Sequence, residues 1–479
     1  MTYAFAFDES ACTGCKACQV ACKDKNNLST GILWRRIYEV IGGGWTQTGE
    51  AWRTSVFAYH LSIACNHCVH PKCAGVCPVD AYNVRPDGIV LINAKECIGC
   101  GYCAWACPYD SPQMDKNSGI ITKCNLCYDN LDKGLPPACV AACPMRCLDL
   151  VDANDLELDE KGLALWKIPG EEHPFPLPSL SRTEPHLLII PHPGVKLVGE
   201  DTHVGNREEI SPNQLKEPTR SEIPLIWFTL FAQMAIGSYL AIFLIYFGST
   251  GKQIFEKMTI IPLIAVGVEI LIAMLVSLIH LKTPMKSYRA LKHFRKSWLS
   301  REILFTAGFA GLLGILVLLM IFNIGPPYIR FGFSIFTGIC ALTALYCMQR
   351  VYQLRSIPAW NSALTLLEFG LSTIGLGCMV TAILLPAGTS YFDIRRVILA
   401  GIISFLAAIP VTLFSANSSN KKLSLWRVGL LLAVFLSAVI VLILPATLGM
   451  GSLILVFAIA FAQEIIGRWI FYSRRVPGI

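Results

Sequence analysis

Cysteine is the residue whose spacing carries chemistry here. Cys12, Cys15, Cys18 and Cys22 fall within the stretch CTGCKACQVACK, as C-x2-C-x2-C-x3-C. Three related groups follow. Cys65, Cys68, Cys73 and Cys77 read C-x2-C-x4-C-x3-C-P. Cys97, Cys100, Cys103 and Cys107 read C-x2-C-x2-C-x3-C-P, and Cys124, Cys127, Cys139 and Cys143 read C-x2-C-x11-C-x3-C-P. Seventeen of the 20 cysteines lie between Cys12 and Cys147. Thiols this dense suit a disulfide scaffold, single metal ions, or multi-iron clusters. Disulfide scaffolds belong to secreted chains that begin with a signal peptide. This chain begins MTYAFAFDESACTGC, with no basic n-region, no useful apolar h-region and no twin-arginine start. Export by its own signal is therefore not expected, though a partner carrying a signal could export it.

The C-x2-C-x2-C-x3-C-P run is the bacterial ferredoxin signature. Each of the four irons of a cubane [4Fe–4S] cluster wants one thiolate. Three cysteines on a tight loop wrap three corners, and the fourth ligand comes from elsewhere. In two-cluster ferredoxins the fourth cysteine of one run ligates the other run's cluster. The proline after it stops the helix and orients the thiolate. Zinc ribbons use pairs of C-x2-C and have no use for triplets followed by C-P. The sixteen patterned cysteines thus suffice for four clusters, and Cys22 belongs to a neighbour of its own loop. Cys147 stands outside the pattern as a small buried side chain. Cys340, Cys347 and Cys378 sit in apolar stretches, where cysteine behaves as a small hydrophobe.

The elements that carry these residues divide sharply. The chain is 54% hydrophobic and 15% charged, too apolar for an ordinary soluble globule. Residues 1–220 hold 20 basic and 26 acidic residues, net −6; the remainder holds 20 and 7, net +13. Positive charge is thus a property of the apolar half, and no basic-aromatic patch supports nucleic-acid binding. Residues 151–223, rich in Pro and charge, read as an extended tail and linker. Eight apolar runs follow, near 224–247, 259–281, 302–323, 331–350, 361–385, 396–414, 426–445 and 450–472. Each suffices for the ~20 residues that span a bilayer, and in lipid they must be helices. The expected domains are 1–150, 151–223 and 224–479.

Ionisable residues within spans are costly and point to function. Glu269, His280, Glu302, Glu368, Glu464 and Arg468 are the candidates. His280 ends the second span and Glu302 opens the third, which puts both near one interface. An imidazole titrating near neutrality and a carboxylate suit proton acceptance and relay. Glu464 and Arg468, four apart on one helical face, read as a structural ion pair. No Gly-rich nucleotide loop or nucleophile elbow is present. The soluble half is expected to carry electrons and do no bond chemistry.

Residues 1–200 resemble the four-cluster iron–sulfur subunit of the DMSO reductase family. The likeness is carried by CNHCVHPKC, CIGCGYCAWACPYDSPQ, TKCNLCYDN, CPMRCLDL and PHLLIIPHPG. The second half resembles that family's eight-helix membrane anchor, through IPLIWFTLFAQMAIGSYL, SLIHLKTPMKSYRAL, WLSREI, RVYQLRSIPAWNS and EIIGRWIFY. It departs at Lys282 and Lys286, where relatives usually carry Gly and Arg. The resemblance implies an α+β double ferredoxin-like iron–sulfur domain followed by an all-α eight-helix transmembrane bundle, a fusion of two subunits usually separate. It implies that Cys12, Cys15, Cys18 and Cys143 hold one cluster, and Cys22, Cys124, Cys127 and Cys139 its neighbour. Cys65, Cys68, Cys73 and Cys107 would hold the third, and Cys77, Cys97, Cys100 and Cys103 the fourth. All are expected to be [4Fe–4S].

The same resemblance implies menaquinol as donor, oxidised near His280 and Glu302, a molybdopterin-containing catalytic subunit as partner, and a tail wrapped on that partner. DMSO, an amine N-oxide or a sulfur oxyanion would be the terminal substrate, and flow toward quinone is the reverse possibility. A membrane-tethered redox sensor is the rival class, which a complement of four clusters disfavours. The chain is expected in the cell (inner) membrane. Loops on the face of the N-terminal domain carry fourteen Lys and Arg, Arg427 among them, against five opposite. The positive-inside rule puts the iron–sulfur domain in the cytoplasm; family precedent puts it in the periplasm.

Overall fold

A computed structural model describes residues 1–154, 163–164, 176–177, 183–198, 202–205, 222–248, 260–279, 281, 283–385, 391–415, 421–443 and 450–474. The chain forms two compact units, the first Met1–Ser211 with two short later segments, the second the remainder.

In the first unit, β1 (Tyr3–Asp8) leads into the first cysteine loop and α1 (Ala17–Lys25). Next come β2 (Arg36–Gly42), an exposed hairpin β3 (Trp45–Thr48) and β4 (Ala51–Thr54), and β5 (Phe57–Ile63). A smaller module follows: α2 (Lys72–Val76), hairpin β6 (Tyr82–Val84) and β7 (Val90–Ile92), α3 (Tyr102–Ala106), hairpin β8 (Gln113–Met114) and β9 (Ile121–Thr122). Then α4 (Tyr128–Leu131), α5 (Ala138–Ala141) and β10 (Leu148–Asp152) return to the start. The strand β10 pairs antiparallel with β1, Phe5 opposite Leu150 and Phe7 opposite Leu148. One two-loop module is therefore nested inside another.

The alternation YAFAFD sends Phe5 and Phe7, 1% and 2% exposed, into the core. Burying such a side chain stabilises the fold by roughly 1.5–3 kcal/mol. They pack with Leu148, Leu187, Ile189 and the cysteines themselves. Two of those partners come from the expected tail, which requires a correction. After β11 (Leu163–Ala164), β12 (Leu187–Ile190) lies parallel to β1, with Phe5 opposite Leu187. Later, β13 (His203–Gly205) pairs with β2. The described part of 151–223 is thus partly built into the soluble sheets rather than extended throughout. The LLII run gains enough burial to override its Pro-rich flanks.

Among the described residues, the second unit holds eight helices long and apolar enough to cross a membrane. They are α6 (Ile223–Gly248), α7 (Ile260–Ile279), α8 (Trp298–Ile321), α9 (Pro327–Tyr352), α10 (Ala363–Leu384), α11 (Tyr391–Phe414), α12 (Lys421–Ile443) and α13 (Met450–Ser473). Small residues allow close approach. A Cβ on Gly237 would lie 1.9 Å from the Thr373 carbonyl oxygen, and one on Gly377 2.4 Å from Gly237 Cα. These glycines set the contact of α6 with α10.

Candidate functional site

The four cysteine loops share one backbone device. In the C-x-x-C that opens each group, the residue before the second cysteine takes positive φ: Gly14, His67, Gly99 and Leu126. Three residues after the closing cysteine of the last three groups, Asp80, Asp110 and Arg146 do the same. Alternating hands turn successive N–H groups inward, the concavity that binds anions and iron–sulfur centres. Leu126 N–H donates to Cys124 Sγ and Ala81 N–H to Cys77 Sγ, each at 3.4 Å. Gly14 needs its hydrogen twice over: its φ is +67, and a Cβ would meet His60 Nε2 at 2.3 Å.

None of the twenty cysteines is in a disulfide. Cys12, Cys15, Cys18 and Cys143 line one cavity with about 320 Å³ of space, solvent-open part included. Cys65, Cys68, Cys73 and Cys107 line another of about 360 Å³. Cys22 is close enough to Cys139 and Cys127 to interact electrostatically, and Cys124 to Cys22 and Cys139. Cys100 is likewise near Cys77 and Cys97, and Cys103 near Cys100 and Cys77. The first two groups thus send their fourth cysteines to other loops. Cys147, expected to be no more than a small side chain, lines the first cavity with its Sγ 3.5 Å from Cys143 Sγ.

Do these donors fit an iron–sulfur group? Burial pushes the Cys22 and Cys100 thiols up to about 12, with neighbouring cysteines adding to it. Thiols crowded this way take up thiolate form only around a strong positive charge. Among the described residues, no three His, Cys, Asp or Glu side chains draw together tightly enough for one metal ion. A zinc site needs four sulfurs about 2.3 Å from one centre. Four thiols around a void, with N–H groups aimed at sulfur, fit a cubane instead.

Two buried cations do not stand out in the sequence. Arg35 is 1% exposed; its Nη2 donates to Cys139 Sγ at 3.6 Å and its Nη1 to the Ser62 carbonyl and hydroxyl at 3.4 Å. Its guanidinium lies 4.1 Å from the Phe5 ring centroid. Lys123 is 2% exposed; its ammonium donates to Cys65 Sγ at 3.5 Å, the Cys124 carbonyl at 3.0 Å and the Val90 carbonyl. Its place directly before Cys124 is the signal that could have found it; Arg35 offers none in one sequence.

In the membrane unit Glu302 sits in the first turns of α8, 2% exposed, and its Oε1 has no hydrogen-bond partner among the described residues. Nearby, the Tyr352 and Tyr472 hydroxyls are bonded at 2.6 Å, and both rings lie within electrostatic reach of Glu302 and Arg468. His280 falls outside the described residues, so its relation to Glu302 is not part of this geometry. Glu269 lies on α7 with its Oε2 unbonded among the described residues.

The Glu464–Arg468 pair expected from i, i+4 spacing is replaced by another. Arg427, 3% exposed on α12, bonds Glu368 through Nη1, lies 3.7 Å from Glu464 through Nη2, and donates to Gln463 at 3.3 Å through Nε. Ser372 Oγ donates to Glu464 at 2.7 Å. Arg468 turns away, donating to Gln233 at 2.6 Å and standing over the Phe369 ring at 3.9 Å. Partners on three helices outcompete the neighbour one turn away. Arg427 is therefore no loop charge and leaves the positive-inside tally.

Residues 218–473 match the family model described as DMSO reductase anchor subunit (DmsC). Residues 56–153 match a 4Fe-4S dicluster domain. The B component of the anaerobic dimethyl sulfoxide reductase of Haemophilus influenzae is 42% identical over 210 residues, 43% of this chain and 98% of that protein. Its counterpart in Escherichia coli K12 is 42% identical over 209 residues, again 98% of its length. The B component of the tetrathionate reductase of Salmonella typhimurium is 38% identical over 143 residues, 29% of this chain and 54% of that protein.

Proposed function

Since the chain belongs to the DMSO reductase anchor subunit family and carries an iron–sulfur subunit of the same system fused before the anchor, we propose that it takes electrons from menaquinol and delivers them to a separate molybdopterin-containing catalytic subunit. Electron transfer and membrane anchoring are its established part. The number of clusters, the quinol and the partner's cofactor belong to the proposal.

Cys12, Cys15, Cys18 and Cys143 hold the first centre, and Cys22, Cys124, Cys127 and Cys139 the second. Cys65, Cys68, Cys73 and Cys107 hold the third, and Cys77, Cys97, Cys100 and Cys103 the fourth. When bound, the four [4Fe–4S] groups supply one-electron carriers between quinol and partner. The observation that carries this reading is the gathering of fourth cysteines from foreign loops, Cys143 and Cys107, into cavities lined by three others. The protein's own work is to bury the thiols, aim N–H groups at them and exclude water.

At the anchor, Glu302 and His280 accept the two protons that quinol sheds with its two electrons. Support comes from Glu302, a buried carboxylate near the start of its helix with one oxygen unbonded among the described residues. The Haemophilus and Escherichia relatives are named as components of anaerobic dimethyl sulfoxide reductases, so dimethyl sulfoxide is the substrate class proposed for the complex. The catalytic partner, not this chain, selects it. The iron–sulfur domain faces the cytoplasm in this reading, by the charge tally of the loops.

Anaerobically purified protein is expected to hold about sixteen irons, four per cubane. Cys100→Ser perturbs one centre and leaves the pair at the first and fourth loops spectroscopically intact. Zinc as the dominant metal would sink the assignment. His280→Ala and Glu302→Gln abolish quinol oxidation while the clusters still accept electrons from a soluble reductant; normal quinol turnover in both would send the site elsewhere.

A further inference from the structure

The four cysteine sets form a row. Cys18 of the first is within electrostatic reach of Cys139 of the second, and Cys124 of the second of Cys65 of the third. Cys103 of the fourth is within reach of Cys73 of the third. Arg35 and Lys123 are the buried lysine or arginine side chains of the first unit among the described residues, and each stands at a junction of that row. Arg35 bonds Cys139 of the second set and also Ser62, whose Oγ is 3.7 Å from Cys18 of the first. Lys123 bonds Cys65 of the third set and the carbonyl of Cys124 in the second. Its three ammonium donors meet three acceptors, the arrangement of a charged amine. The second set is therefore flanked from both sides by buried positive charge.

We propose that Arg35 and Lys123 are electrostatic positioning residues that raise the reduction potential of the centre held by Cys22, Cys124, Cys127 and Cys139, making it the most readily reduced of the four. The proposal rests on the cysteine assignment given above. Reduction adds one electron to a centre that four thiolates already make anionic, and no bond forms or breaks. The electron comes from quinol, whose two electrons enter the row of centres one at a time and whose two protons pass to Glu302 and His280 in the reading above. Net charge and hydrogen bonds to sulfur set such potentials, and a fixed cation in a dry interior favours the more negative state. The bonds of Arg35 and Lys123 go to the second and third sets and to the Ser62 and Val90 backbone. The fourth set, Cys77, Cys97, Cys100 and Cys103, lies beyond them and so stays lower.

The test is a redox titration of the full chain in its complex, followed by electron paramagnetic resonance with iron content measured alongside. Arg35→Gln and Lys123→Gln keep a donor and remove the charge. Each is expected to lower the reduction equilibrium of the second centre by about tenfold or more, which is about 59 mV for a one-electron couple. The fourth centre holds its potential. Lys123→Arg restores the charge and the parent value, whereas Arg35→Lys, with its charge withdrawn from Cys139, falls between parent and neutral variant. An unshifted second centre in iron-replete neutral variants overturns the proposal. So does an arginine at 123 that shifts the centre as far as glutamine does. Where a neutral variant fails to keep its iron, the substitution that retains charge at the same position decides: the parent potential with arginine at 123, or a lowered one with lysine at 35, supports the proposal, and the opposite overturns it. A parent protein without four cubane signals would instead refute the cysteine assignment, a distinct result.

Discussion

Replacing Arg427 by methionine tests the interior of the membrane unit most directly. The guanidinium serves Glu368, Glu464 and Gln463 at once, all buried. Methionine fills similar volume but deprives two carboxylates, 7% and 1% exposed, of the guanidinium they share, leaving Glu368 only the electrostatic reach of Arg468 and Arg474. Removing one partner of a buried pair costs about 3–5 kcal/mol, chiefly from the charge left behind. In a bilayer the unfolded reference finds partners of its own, and interhelical hydrogen bonds average only about 0.6 kcal/mol. The expected loss is thus about 3 kcal/mol, at the low end of that range. The triple variant Arg427→Met, Glu368→Gln, Glu464→Gln removes the stranded charge, and its loss is expected near 1 kcal/mol, within the range of a few polar bonds. Unfolding of the purified full chain by graded denaturing detergent measures both. A single variant within about 1 kcal/mol of the parent, or a triple as damaged as the single, would refute the reasoning, since both outcomes deny that an unpaired buried charge dominates.

Three further outcomes are expected. Gly14→Ala forces a Cβ to 2.3 Å from His60 Nε2 at a φ of +67, and should cost about 1–3 kcal/mol and deplete iron from the first centre while the third keeps its own; full iron content in the variant counts against the shared loop geometry. Glu9 is 1% exposed, and burial lifts its carboxyl from 4.5 to about 8, although the His192 N–H works against the rise. The folded state therefore binds this proton more tightly than the unfolded one. Stability contributed by Glu9 is present below 4.5 and declines as pH rises toward 8, by up to about 1.4 kcal/mol per pH unit. Denaturation of Glu9→Gln across that range should show a flatter profile, and an unchanged slope speaks against the burial argument. A C-terminal reporter should fluoresce with a cytoplasm-dependent tag; alkaline phosphatase activity there instead would reverse the proposed side.

The sequence exposed chemistry carried by short spacings and hid what depends on distant partners. Cysteine triplets and C-P endings are local, so they could be read directly, as could the apolar runs that became the eight helices among the described residues. Arg427 defeated the reading because a charge near the start of an apolar run resembles a loop residue. Only Glu368 on α10 and Glu464 on α13 reveal it as interior. The i, i+4 rule named Glu464 and Arg468 as partners because it knows one helix at a time. Likewise LLII looked like a fragment of tail, since its partner Phe5 lies at the far end of the soluble half. Arg35 escaped for the same reason: its sulfur partner, Cys139, is brought to it only by the fold.

Nesting imposes an order in time. A ribosome releases Cys65 through Cys107 as an uninterrupted block, so the cavity lined by Cys65, Cys68, Cys73 and Cys107 has every one of these thiols available early. The cavity begun at Cys12 waits for Cys143, and β1 waits longer still for β12. The first thiols synthesised are thus the last to be enclosed. Throughout that interval Cys12, Cys15 and Cys18 are open to oxygen and stray metals, and the outer module bears the greater risk of mis-metallation during biogenesis.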